Sequence, residues 1–117
     1  MNSPFVHCRL HTDYSIVDGL ISPSQLFKQV KALGMPAVAV TDHMNLFAAI
    51  KVYKESLKAG VKPIFGADVL VQDPEFDLPS KLTLLCLNLN GYNQLCILLS
   101  RAYQEAPRVD GVPVVPL

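Results

Sequence analysis

No apolar run in this chain approaches the roughly 20 residues that a membrane-spanning helix needs. Its longest apolar stretches, such as Leu82–Leu87 and Leu95–Leu99, are far shorter. The opening Met1–Leu10 has no basic region followed by an apolar one, so no secretory leader is expected. An excess of charge is missing too, since ten Lys+Arg balance ten Asp+Glu. Without a Lys/Arg cluster, that balance argues against a module that binds nucleic acid by neutralising phosphates. Charged residues make up only 17% of the chain, whereas half of it is hydrophobic. Intrinsic disorder, which needs low hydrophobicity and high net charge, is excluded by the same figures. Cysteine is sparse: Cys8, Cys86 and Cys96 are odd in number and lack C-x-x-C spacing. Neither a disulfide framework nor a zinc knuckle is expected, and reduced thiols in a cytoplasmic protein follow.

A length of 117 residues allows one domain at most. Phe5–Leu10 reads as a short strand. Ser22 as N-cap, Pro23 at the first helical position and Gln25 completing a capping box open a helix. It carries Leu26, Phe27, Val30 and Leu33, and Gly34 stops it. Ala37–Val40 reads as a strand ending in Thr41, Asp42 and His43. A second helix places Leu46, Ile50, Tyr53 and Leu57 on one face, leaves Lys51, Lys54, Glu55 and Lys58 for water, and ends at Gly60. Val61–Val71 reads as a strand, 73–80 as a loop and Lys81–Asn88 as another strand. The turn Asn90–Gly91 introduces a helix carrying Leu95, Leu98, Leu99 and Ala102. From Gln104 to Leu117 the chain reads as a connector or a truncated end. Strands alternating with helices suggest βα units, a mostly parallel sheet and an α/β class. Four apolar strands cannot close a full barrel.

The chemistry-capable side chains fall where strands end. His11 follows the first strand, Asp42 and His43 the second, and Asp68 follows, or lies within, the third. In a parallel βα arrangement the carboxyl ends of neighbouring strands lie side by side, and ligands gather there. Imidazole and carboxylate at such ends form the donor set of a divalent ion such as Zn²⁺ or Mn²⁺, which can activate water and clamp a phosphoryl oxygen. Plainer roles stand beside this one. A histidine after a strand often bonds backbone, Thr41–Asp42 can cap the helix near Asn45, and Asp68 can be a turn residue or neutralise a lysine.

The stretch Phe5-Val6-His7-Cys8-Arg9-Leu10-His11-Thr12-Asp13-Tyr14-Ser15-Ile16-Val17-Asp18-Gly19 resembles the first motif of the PHP (polymerase and histidinol phosphatase) domain. In particular it resembles the version that opens the alpha subunit of bacterial replicative polymerases. Leu33–His43, Gly60–Asp68, Gly91–Leu95 and Pro107–Asp110 agree with that version in the same order. The resemblance implies a partial PHP domain over residues 1–117, the N-terminal portion of a distorted (β/α)7 barrel with its metal site at the carboxyl ends of the strands.

Members of this family with an intact site carry an H-x-H pair in the first motif. Here that pair reads Arg9-Leu10-His11, so a guanidinium takes the first ligand position. Asp18 and Asp42-His43 keep their places, and the bridging Gly-x-Glu becomes Gly66-Ala67-Asp68. A guanidinium offers only donors and stays protonated, so it cannot ligate a metal. Arg9 is expected to pair bidentately with Asp42 or Asp68 in place of the lost ion. His11, Asp18, His43 and Asp68 then form at most a weak, vestigial site for one Zn²⁺ or Mn²⁺, and no cofactor is expected. The resemblance implies a structural and docking role with two partners: the remainder of the polymerase alpha subunit and the epsilon proofreading exonuclease. DNA would be met only through the parent polymerase, no membrane is involved, and an excised segment would self-associate through exposed strand edges. The alternative is an active metal-dependent phosphoesterase, either a 3'-5' exonuclease or a pyrophosphatase.

Overall fold

The computed structural model describes residues 5–15, 19, 21–109 and 111–116. Helix α1, Pro23–Ala32, starts as its sequence dictates. Ser22 Oγ accepts from the Gln25 N–H, the Gln25 side chain accepts from the Ser22 N–H, and Pro23 sits in the first turn. Leu26, Phe27 and Val30 are buried, but Leu33, expected on the same stripe, is 71% exposed at the C-cap.

Strand β1, Ala37–His43, runs past the expected end at Val40 and takes in Thr41, Asp42 and His43. Helix α2 spans Ala49–Ala59 and closes on Gly60 at a left-handed φ of 71°. Strand β2, Lys62–Gln72, matches its expected span within a residue, and strand β3, Ser80–Leu85, stops short of the expected Asn88.

Four further expectations need correction. Phe5–Leu10 does not form a strand, although it runs beside β1. The His7 carbonyl accepts from the Ala39 N–H at 2.8 Å and the Leu10 carbonyl from the Thr41 N–H at 2.8 Å. Three residues on one side thus face two on the other, and a regular ladder cannot tolerate that surplus. Second, the apolar face read into α2 points to water: Ile50, Tyr53 and Leu57 are exposed, and Val52 and Ser56 are buried instead. Ala48, Val52 and Ser56, four residues apart, form a slender stripe that admits close approach. Third, Asn90 and Gly91 lie inside helix α3, Leu89–Glu105, whose N-cap is Asn88 with its side chain accepting from the Gly91 N–H. Fourth, the stretch from Gln104 finishes α3 and then forms strands β4, Arg108–Val109, and β5, Val112–Pro116.

Strand β2 is the hub. Its residues 62–68 pair in parallel with β1, residues 66–71 antiparallel with β3, and residues 70–72 in parallel with β5. Because the β3 stretch overlaps both others, β1 and β5 share one edge of β2 and β3 takes the opposite edge. Strand β4 adds to β5 antiparallel. The result is a mixed α/β sheet with a parallel centre and antiparallel additions.

Side chains alternate across a strand, so register assigns the faces. Val38, Val40, Phe65, Ala67 and Val69 share one face by pairing of Val40 with Phe65 and Asp42 with Ala67. The α1 and α2 residues Leu26, Phe27, Val30, Ala48 and Val52 cluster with Val38 and Val40, while Leu95, Leu99 and Ala102 of α3 cluster with Ala67 and Val69. All three helices therefore cover the same face. The other face carries Thr41, His43, Gly66 and Asp68, together with Thr83 of β3.

Gly66 lets β3 close on β2. A methyl group there would collide with the Leu84 backbone carbonyl, which cannot swing aside as a side chain can. Gly66→Ala is expected to destabilise by about 2–3 kcal/mol, the upper part of the usual overpacking range. A urea melt would check this, and an unchanged midpoint would contradict it.

Candidate functional site

The carboxylate of Asp68 is the centre of the polar cluster. It lies mid-strand in β2 and is fully buried. Thr83 Oγ1 donates to Oδ1 at 2.5 Å, and Arg9 Nε donates to Oδ2 at 2.8 Å. His11 Nε2 meets the same Oδ2 at 2.6 Å. Burial alone would raise the Asp68 pKa, but the hydrogen bonds from Thr83, His11 and Arg9, with the Arg9 charge, outweigh it and hold it below 3.8. Its basicity is correspondingly reduced.

Arg9 is joined to Asp68 through Nε alone, not through the two-pronged contact expected of a guanidinium. Its side chain is 53% exposed, so the terminal nitrogens reach solvent. Of its two expected partners, only Asp68 is used. Asp42 lies on the opposite, helix-covered face, because adjacent residues of a strand alternate.

Asp42 is buried nonetheless and receives three donors. These are the Thr12 N–H at 2.5 Å, Thr12 Oγ1 at 2.8 Å and Ser15 Oγ at 2.9 Å. Ser15 Oγ in turn accepts from the His43 N–H at 2.9 Å. Asp42 is therefore a clasp that ties segment 12–15 to the carboxyl end of β1. It does not cap α2, whose N-cap is Ala48 without a side-chain bond. His43 stands opposite Asp68 in the β1–β2 register, and Thr83 opposite Asp68 in the β2–β3 register. The row His43, Asp68, Thr83 crosses three strands on one face.

The fold thus brings Arg9, His11 and Asp68 together and puts His43 in the adjacent strand position. Asp42 is sent elsewhere, and Asp18 lies outside the described residues. Thr83 was not foreseen. A lone hydroxyl alternating with Leu82 and Leu84 was the signal that could have found it. Among the described residues, no group of three or more His, Cys, Asp or Glu side chains is arranged to hold a metal ion. An ion on Asp68 would have to displace donors from both oxygens and sit against the Arg9 guanidinium. The described cysteines are all free thiols, and no described helix is long and apolar enough to cross a membrane.

The profile of the PHP domain matches residues 7–114. The chain is 50% identical over 109 residues to the DNA polymerase III subunit alpha of Pseudomonas aeruginosa, covering 92% of this chain and 9% of that one. Against the same subunit of Escherichia coli K12 it is 49% identical over 117 residues, covering 98% and 10%. The chain therefore spans about a tenth of the length of the curated relatives it matches. Among solved structures it is similar to an amidohydrolase of Chromobacterium violaceum, described with bound sulfate and no metal. The TM-score is 0.68 at 17% identity, covering 85% of this chain and 33% of that one. A Bifidobacterium adolescentis protein named for metal-dependent phosphoesterase activity gives 0.59 at 20% identity, covering 89% and 39%. At these identities the likeness is one of fold.

Proposed function

The chain belongs to the PHP domain family, in the form that DNA polymerase III alpha subunits carry, and on that premise we propose that it is a scaffold and docking element of a bacterial replicative polymerase in which a fixed ion pair has replaced the family's metal site. The contact between Arg9 Nε and Asp68 Oδ2 at 2.8 Å carries this reading. A positive charge rooted in the chain occupies the space that a ligand histidine and its ion would share. The second carboxylate oxygen is taken by Thr83, and His11 is turned onto the first. A carboxylate that already accepts on both oxygens is a poor ligand and a poor general base.

DNA synthesis lies in the parts of the alpha subunit beyond this segment, and this element supports that core and docks the proofreading exonuclease in the cytoplasm. Any ion it retains is a single, weakly held Zn²⁺ or Mn²⁺ using Asp18 and His43, with or without His11. Titration of labelled exonuclease against the alpha subunit tests the docking role. Saturable binding that excess isolated chain competes away is expected, and binding indifferent to the chain contradicts it.

Metal analysis of the alpha subunit, purified without chelator, tests the site. Less than one tightly held ion per chain is expected. Two or three ions with chelator-sensitive phosphoesterase activity would establish the competing enzymatic reading. In the double variant Arg9→His with Asp68→Glu, Zn²⁺ or Mn²⁺ affinity is expected to rise roughly tenfold or more, since even indirect ligand supports shift affinity by 10–100-fold. An unchanged affinity would mean that more than these two positions has been lost.

A further inference from the structure

We propose that this chain associates head to tail with a second copy of itself, the acidic loop that follows β2 in one copy seating in the basic, apolar groove beside the start of β2 in the next. The groove, of about 800 Å³, runs between α2 and the β3–α3 connection. Ile50, Tyr53, Leu87 and Leu89 supply exposed apolar walls, and Lys54 and Lys62 line its basic side. Neither lysine has an ion-pair partner among the described residues. An apolar surface of this extent with unspent positive charge calls for a partner that is apolar and acidic.

The loop between β2 and β3 has that chemistry. Phe76 and Leu78 are 62% and 77% exposed, and Asp73, Glu75 and Asp77 alternate with them along a stretch that contains no basic residue before Lys81. Glu75 and Asp77 have no ion-pair partner among the described residues. The loop is braced before it meets anything. Asp73 Oδ1 accepts from the Glu75 N–H at 2.9 Å, the Asp73 carbonyl from the Phe76 N–H at 3.0 Å, and Gln72 Nε2 donates to the Phe76 carbonyl at 2.7 Å. A preformed loop loses little freedom on docking.

One strand sets the geometry. The groove borders Lys62 and the loop leaves Gln72, the two ends of the 11-residue β2. At about 3.3 Å per residue these ends lie about 33 Å apart, so the short braced loop cannot fold back into its own groove. Knob and socket thus sit at opposite ends of β2. A contact of this kind is heterologous, and copies add one after another until a ring closes or the assembly stays open.

Sedimentation velocity of the whole chain over a concentration series is the test, with two charge-reversed variants, Lys54→Glu/Lys62→Glu and Glu75→Lys/Asp77→Lys. The unmodified chain is expected to grow in mass with concentration and to shrink with added salt. Each variant alone is expected to stay monomeric, since its knob and socket carry the same sign, and a mixture of the two is expected to regain association. Circular dichroism of each variant confirms that it is folded. An unmodified chain that stays monomeric throughout overturns the proposal and leaves the groove for a later segment of a longer chain. Association that neither reversal weakens, or that the mixture fails to regain, overturns it in favour of pairing at the open outer edge of β3.

Discussion

Asp68→Ala is expected to lower the stability of the chain by about 3 kcal/mol at neutral pH, the low end of the range for breaking a buried charged pair. The low end applies because Arg9 is half exposed and can turn to water once its partner is gone, whereas the Thr83 hydroxyl loses its acceptor. Asp68→Asn keeps the shape and removes the charge, which isolates the ionic part. The folded pKa of Asp68 lies below its ordinary 3.8. Ionisation therefore stabilises the fold fully above about pH 4, and the gain drains away as pH falls through the depressed folded value. Urea denaturation at pH 7 and at successively lower pH should show the wild type leading Asp68→Asn at neutrality and converging with it in acid. A gap that is constant across that window would show that the Asp68 charge is not linked to folding.

Phe27→Ala should produce the largest loss. Phe27 is 1% exposed and sits among Leu26, Val30, Val38, Val40 and Val52, where α1 and α2 meet on β1. Truncating a buried phenylalanine costs about 3–5 kcal/mol through lost transfer energy and the cavity left behind. Small domains are stable by only about 5–15 kcal/mol, so roughly a fifth or more of the total is at stake. Phe27→Leu refills most of the space and is expected to restore more than half of the loss. Denaturant midpoints of the two variants decide it. Equal losses would mean that the aromatic ring itself, and not the volume, is what the site requires.

Much of this molecule can be read from its residues, and the failures share a cause. The α1 capping box and the βα alternation were legible because they depend on local hydrogen bonds and local periodicity. The pairing of Arg9 with one of two carboxylates, Asp42 or Asp68, was legible because a fixed guanidinium beside buried acids needs one. The choice between Asp42 and Asp68 was not read, although alternation of side chains decides it once β1 is known to continue through His43. The face of α2 was misjudged because hydrophobicity marks a stripe that wants a partner, not which partner it finds. The slim Ala48–Val52–Ser56 stripe won against β1 and α1, and the larger stripe was left for water. The irregular course of 5–10 and the strands after Gln104 depend on contacts with β1 and β2, which no window of sequence contains.

The positive partner of Asp68 is part of the polypeptide, so its occupancy does not obey mass action. There is one Arg9 for every Asp68 at any dilution, and no chelator can strip it. Folding and completion of this ion pair are the same event.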